Sequence, residues 1–158
     1  MTDAGAIFTS HQVAGVGPFE IATDPGNDDD MHRGIREYRQ FLHSTIHYAV
    51  KRLKPGQRFV DAGANLGTYS IPVAFNGCHV LAIEAAADNY VLLSRSALKN
   101  KLTALIPVHA AVFDRAGVVN LAGASAWTAV TAATGGPVVP ALRLDDLLDL
   151  HGLSLIHI

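Results

Sequence analysis

Between residues 58 and 112 short apolar runs alternate with amphipathic segments, and that alternation restricts the chain more than any other feature. Arg58 to Ala62 reads as a buried strand, Leu66 to Phe75 as a helix, and Cys78 to Glu84 as a second strand. Asp88 to Lys99 reads as a second helix and Ala104 to Val112 as a third strand. Strands that recur with a helix between them build a parallel sheet covered on both faces, an α/β fold. In a doubly wound sheet of this kind, ligands bind beyond the carboxyl ends of the strands. The loop after the first strand is therefore the first place to look for function.

That loop lies in Phe59-Val-Asp-Ala-Gly-Ala-Asn-Leu-Gly67. Gly63 and Gly67 allow backbone to approach a ligand without a Cβ in the way. A helix starting near Leu66 would offer free N–H groups to a carboxylate or phosphate. A dinucleotide fingerprint requires glycines spaced G-x-G-x-x-G. Counted from Gly63, the three positions hold Gly63, Asn65 and Thr68, so two of the three fail. Asp61, close to the loop, would repel a pyrophosphate and suits a cationic amino-acid head, such as methionine's ammonium beside a sulfonium. Glu84 ends the second strand, 23 residues after Asp61 (84 − 61). A carboxylate there can accept both hydroxyls of a ribose. Nicotinamide enzymes place an acid similarly, so Glu84 points to an adenosine without choosing between cofactors. The loop favours a methyl donor, S-adenosylmethionine, over a dinucleotide.

The segment Lys54-Pro-Gly-Gln-Arg-Phe-Val-Asp-Ala-Gly-Ala-Asn-Leu-Gly-Thr-Tyr-Ser70 resembles the first motif of the FkbM-type methyltransferases, K-P-G-D-x-x-x-D-x-G-A-N-x-G-x-x-S. The resemblance continues through Ala82-Ile-Glu84 and His109-Ala-Ala-Val-Phe-Asp114 to Leu144-Asp-Asp-Leu-Leu148, over residues 19 to 150. It implies a Rossmann-like class I methyltransferase fold that binds S-adenosyl-L-methionine. It also implies O-methylation of a sugar, glycolipid or polyketide-type small molecule. Carried over by position, Asp61, Gly63, Ala64, Asn65 and Gly67 match the donor loop and Glu84 the ribose acid. Ala110 and Ala111 fall where the third strand passes the donor. Ala85 stands where the family usually has Pro, and Arg58 where a variable polar residue is common. No catalytic base is assigned. A nicotinamide oxidoreductase and a non-catalytic cofactor-binding module remain the competing readings.

The flanks are less informative. The first 17 residues, rich in Gly and Ala, read as a loose lead-in, and residues 18–56 as an N-terminal strand with helices. Within them Phe19 to Thr23 alternates like a strand, Asp24-Pro25-Gly26-Asn27 is a turn, and Asn27 or Asp28 is expected to cap a helix carrying Asp29 and Asp30. A longer helix is expected over Glu37 to Leu53, with Phe41, Ile46, Ala49, Val50 and Leu53 on its buried stripe. His43 and His47 have the i, i+4 spacing of a metal pair but lack the Glu of H-E-x-x-H, so amphipathic placement is expected and no metal site. The Asp28-Asp29-Asp30 run reads as a solvated helix start, His109 as strand packing beside the donor pocket, and Trp127 as core or acceptor lining. Glu37 is a candidate acid near the donor.

Residues 57–152 form the expected donor-binding core. From Ala116 to Leu142 no residue is charged, but Gly135-Gly136-Pro137 and several polar residues interrupt the run before the ~18 apolar residues of a membrane span. Extra strands over Gly117 to Leu121 and Val138 to Leu144, then a helix from Asp145, are the expectation. A net charge of −2 gives no basic field for phosphate neutralisation, which argues against a nucleic-acid partner. The lone Cys78 and the lack of a signal-peptide pattern fit the cytoplasm. Family members continue past residue 152 into another central strand. Here Leu153-Ser-Leu-Ile-His-Ile158 stands in its place, and it is also the translation of the mosaic-end adapter used in transposase-based sequencing. On that reading residues 153–158 are adapter read-through and only the first half of the sheet is present. The first strand would then be an exposed apolar edge, and the chain alone aggregation-prone and inactive. Oligomeric state is not readable.

Overall fold

The computed structural model describes residues 5–38, 43–123 and 128–152. Its first elements are the strands β1 (Ile7–Val13) and β2 (Val16–Thr23), paired antiparallel from Ile7 opposite Thr23 to Val13 opposite Val16. The expected loose lead-in is therefore half of a hairpin. Ala14 and Gly15 make its two-residue turn with φ of 53° and 84°, the sign such tight hairpins require. Ala-Gly is a weak turn signal beside Asn-Gly. The inward positions of β1 are Thr9, His11 and Val13, so alternation was masked by polar residues.

After the Asp24 turn, where the Asn27 N–H reaches Asp24 O at 3.2 Å, comes the short helix α1 (Asp30–Arg33). Its cap is Asp29, whose carboxylate accepts from His32 N at 2.8 Å; Asn27 instead accepts from Asp29 N, one turn earlier. A π-helical turn (Gly34–Tyr38) stands at the start of the helix expected from Glu37 and α2 (His43–Arg52) over its end; residues 39–42 lie outside the described residues. Phe41 lies outside the described residues, and so do the side chain of His43, Trp127 and residues 153–158.

The centre is a three-stranded parallel sheet of β3 (Arg58–Ala62), β4 (His79–Glu84) and β5 (Leu105–His109), with β4 in the middle. The helices α3 (Ser70–Phe75) and α4 (Ala87–Lys99) connect them. Side chains alternate across the sheet. Phe59, Val80 and Ala82 pack with the hairpin, α2, α3 and α4, whereas Val60, Leu81 and Ile83 pack under α5 (Leu144–Leu150) through Leu147. Both faces are thus covered, as the run of apolar strand residues demands, and the fold is α/β and Rossmann-like. Among the described residues no strand pairs with the outer edge of β3. No described helix is long and apolar enough to cross a membrane.

The expected third strand breaks at Ala110. Beyond β5, β6 (Ala111–Val112) leaves the parallel sheet and joins a second one with β9 (Val138–Leu142), β7 (Gly117–Ala122) and β8 (Ala129–Thr131), in the order β6-β9-β7-β8. Three segments of the uncharged stretch, β7, β8 and β9, are thus strands, as expected for its described part. Gly136 permits it to close: a Cβ there would stand 2.1 Å from Leu121 O, a contact no side chain tolerates.

The hairpin is held to α4 by two polar side chains. Asn100 accepts from Glu20 N at 2.8 Å and donates to Glu20 O at 2.6 Å, acting as a substitute strand, and Ser96 Oγ accepts from Ala22 N at 2.9 Å. Losing the Asn100 amide strands two part-buried backbone groups. Asn100→Ala is expected to lower unfolding free energy by about 1–3 kcal/mol, read by urea denaturation.

Candidate active site

The segment that follows β3 is a loop rather than the start of a helix. Gly63 N and Ala64 N both donate to Ile83 O at 2.9 Å, Gly67 N to Ala64 O at 2.8 Å, and Leu66 N to the Asn65 side chain at 2.7 Å. The helix expected from Leu66 begins at Ser70, and the N–H groups of Gly63 through Gly67 are already engaged within the fold. The expected cradle of free N–H donors at Leu66 is therefore corrected: these groups shape the loop. Asn65 and Gly67 turn the chain with φ of 51° and 85°. Asn tolerates that region and Gly is free in it. At Gly67 a Cβ would lie 2.6 Å from Leu93 Cδ1 and 3.0 Å from Ile71 Cγ1, because the loop packs directly onto α4. At Gly63 nothing lies within 4 Å of that position, so the approach from outside is open.

Asp61 and Glu84 come to the same side of the sheet. Asp61 is opposite Ala82, and Glu84 is two residues further along β4, so both project toward the helices α3 and α4. Glu84 is buried, and its two oxygens are used separately: one accepts from Asn65 N and the other from Ala86 N, each at 2.8 Å. Each oxygen keeps a second lone pair. Asp61 accepts from Ser70 Oγ at 2.6 Å and from the Ser70 backbone N–H, so it ties the strand to the first residue of α3. Burial pushes the Asp61 carboxyl above its ordinary range against these two bonds, and the nearby Glu84 charge adds to the rise.

A cavity of about 580 Å³ opens immediately beyond Glu84. Its wall runs through Ala85, Ala86 and Ala87 at the start of α4, then His109 at the end of β5, with Leu121 and Val139 of the second sheet facing them. Asp24, Asn27 and His32 close it on the far side. Asp61, Gly63 and Glu84 are not in this wall; of the three, Glu84 directly precedes Ala85, where the wall begins. Of the other expected positions, Ala85 lines the cavity. Ala64 is buried in the main core, Ala110 packs with Leu81, Ile83 and Leu147 under the opposite face, and Ala111 packs with Leu121 and Val139. The segment from Asp24 to His32 was missed as part of a site. Its only sequence sign was the Asp-Pro-Gly-Asn turn.

The remaining candidates have structural partners. Arg36 binds Asp24 O, Asn27 O and the Asp28 carboxylate, Arg33 pairs with Asp30, and Asp29 caps α1, so the acidic run braces a turn. No group of three or more metal-ligating side chains occurs among the described residues. Glu37 is exposed at the end of the π-helical turn.

No family model and no curated protein matches the chain. Solved structures that it resembles include Trm5b from Pyrococcus abyssi, at 18% identity and a TM-score of 0.47, with 65% of this chain and 28% of that one covered. A tRNA m1G37 methyltransferase from M. jannaschii aligns at 17% identity and a TM-score of 0.49, with 69% and 31% covered. TYW2 from M. jannaschii, solved in complex with AdoMet, aligns at 20% identity and a TM-score of 0.45, with 69% and 45% covered. The chain spans less than half of each of these proteins, and similarity at this level assigns no activity.

Two outcomes follow from the loop. Gly67→Ala is expected to cost about 1–3 kcal/mol in unfolding free energy, since both backbone region and space oppose it. The raised Asp61 carboxyl means that the folded state holds this proton more tightly than the unfolded chain. Its contribution favours folding at acid pH and is lost as pH rises from the ordinary carboxylate range through the raised value. In Asp61→Asn that part of the decline disappears, so the pH profile of thermal stability is expected to be flatter than in the parent chain.

Proposed function

We propose that this chain is the donor-binding part of an S-adenosylmethionine-dependent methyltransferase. The observation that carries the reading is one side of the sheet: Asp61 and Glu84 together at the carboxyl ends of adjacent parallel strands, with the open Gly63 between them in the chain. A half-buried acid whose proton is held more tightly than usual, next to a second acid, is a site that gains from a cation. A methionine ammonium with its sulfonium supplies that charge. A pyrophosphate would worsen the repulsion.

The residues fit the donor in three places. Gly63 leaves room for the amino-acid end. Glu84, fixed by Asn65 N and Ala86 N, has lone pairs left for two ribose hydroxyls. The cavity beyond Ala85 has the position expected for the base. When bound, the sulfonium supplies an electrophilic methyl group. The chain's own share is orientation: the loop and Glu84 hold the donor at a fixed angle, so an acceptor oxygen can approach in line. No described residue is assigned as the base.

The acceptor in this reading is a small hydroxylated molecule, because a chain with net charge −2 has no general attraction for a phosphate backbone. The solved tRNA methyltransferases name nucleic acid as their own substrate, and a tRNA transcript is therefore the second acceptor to assay. A nicotinamide oxidoreductase is disfavoured by the failed glycine spacing and by Asp61. A module that binds the donor without transferring its methyl group would share the donor site and differ only in turnover.

Calorimetry of the whole chain with S-adenosylhomocysteine and with NAD tests the reading. Binding of the former alone is expected, and Glu84→Gln should weaken it by about tenfold or more through loss of charge-assisted bonds to the sugar. Preference for NAD would overturn it.

A further inference from the structure

The net charge of −2 is the sum of two unlike ends. A helix that joins parallel strands finishes where the next strand begins, so α3 and α4 end at the amino edge of the sheet. The end of α2 is tied to the same place, because Asn76 Nδ2 donates to Val50 O and Leu53 O at 3.2 and 3.0 Å. The end of α5 is there too, where Arg58 donates to Gly152 O at 2.6 Å. Lys51, Arg52, Lys54, Arg58, Lys99 and Lys101 lie at this edge, and all six are exposed. They are half of the chain's twelve Lys and Arg residues. Among the described residues Lys99 alone of the six is ion-paired, with Glu20 at 3.8 Å. The acids around the site, Asp24, Asp61, Glu84 and Asp88, belong to the opposite end, at or beyond the carboxyl ends of the strands. Helix dipoles do not account for the basic edge. Each helix end carries about half a negative charge, so the four ends offset about two cations. Glu20 and Asp149, near the end of α5, offset two more, which leaves about two of the six uncompensated (6 − 2 − 2). Apolar side chains stand among these charges. Leu98 is 73% exposed beside Lys99, and Tyr48 is 65% exposed with the Arg52 guanidinium 6.0 Å from its ring centre.

We infer that the amino edge of the parallel sheet docks on an anionic lipid surface, with the acids of the site turned away from it. The strand starts are level, since Arg58 is opposite His79 and Val80 is opposite Leu105. The cations therefore form a flat end, and none of them lines the cavity beyond Glu84. A single nucleic-acid strand is held in a groove that tracks its backbone. A flat array with exposed apolar side chains between its charges suits a bilayer instead: headgroup phosphates meet the Lys and Arg, and Leu98 and Tyr48 meet the headgroup boundary. Two such side chains are too few to hold the chain without charge, so binding requires acidic headgroups. The separation of charge also sets the orientation, because the surface attracts the basic end and repels the acidic one. This surface is independent of the donor reading. It also leaves the acceptor argument in place, since the attraction lies at the far end of the sheet from the site.

Flotation of the whole chain with lipid vesicles tests the inference. Vesicles of phosphatidylcholine alone are compared with vesicles that also contain phosphatidylglycerol. The chain is expected to float with the mixed vesicles only, and to be released as salt rises to about 0.5 M. One basic residue close to such a surface is worth about fivefold in partition, so Lys51→Gln combined with Lys54→Gln should weaken binding by about tenfold or more. Both side chains are exposed, and circular dichroism checks that the fold is kept. Lys54→Gln alone is the second variant, with a loss of about fivefold. Arg115→Gln, exposed in the turn between β6 and β7, removes a charge away from this edge and should leave binding unchanged. No flotation with the mixed vesicles, or equal flotation with both kinds, would overturn the inference. A loss in Arg115→Gln as large as in Lys54→Gln would do the same. Salt-sensitive binding to a single-stranded oligonucleotide in place of the vesicles would overturn it in favour of a nucleic-acid partner.

Discussion

The Glu84 carboxylate is the joint on which this fold turns. It is a buried acid at the end of the central strand, and each oxygen takes a backbone N–H from a different direction, Asn65 in the glycine loop and Ala86 at the entry to α4. An unsatisfied charge at that depth would cost several kcal/mol, roughly. The loop must therefore fold back over β4 so that Asn65 N arrives, and Asn65 has to accept a φ of 51° to do it. Gly63 and Ala64 are drawn to Ile83 O by the same fold-back. One side chain thus sets the path of the loop, the start of the next helix and the mouth of the cavity beyond it.

The legibility of this chain follows from how local each constraint is. Strand β4 is buried on both faces and β3 half-buried beside it, so Phe59, Val60, Val80, Leu81 and Ile83 write themselves as apolar runs, and the sheet could be read directly. The hairpin could not, because the inner positions of β1 include Thr9 and His11, and the partner that makes them inner lies across a turn with no strong signature. The helix after the loop starts four residues later than its sequence suggests (70 − 66), for a different reason. Leu66 has the right apolar spacing for a helix face, but its N–H is taken by Asn65, and only from Gly67 does an i to i+4 bond begin, to Ile71.

The break at Ala110 was also invisible locally. Ala104 to Val112 is one unbroken apolar stretch in sequence, yet His109 is the last residue that pairs with β4, and Ala111 already pairs with Ala141. What divides the strand is the second sheet, in which Ala111 pairs with Ala141, thirty residues away (141 − 111). Its consequence is functional geometry. By crossing from one sheet to the other between His109 and Ala111, the chain brings Leu121 and Val139 against Ala85, and the cavity gains an apolar wall that the parallel sheet alone does not provide. Residues Ala110 and Ala111, which the family resemblance places along the donor, therefore act as the hinge that builds the wall, while the neighbouring His109 faces the space.

The two acids at the strand ends differ in a way that explains why both are needed. Glu84 is satisfied by backbone donors and organises the protein around itself. Asp61 holds only Ser70, and burial raises its proton affinity, so its ionised form is under-compensated. A chain selected for stability alone would gain by replacing it with a neutral residue that still accepts from Ser70. Its presence near the end of β3 makes sense if the missing compensation comes from outside, as a cation seated near Gly63, where the structure leaves open space. On the donor reading, the same pair then does two jobs: the satisfied acid fixes the sugar in place, and the unsatisfied one attracts the positive end and aligns the sulfonium with it.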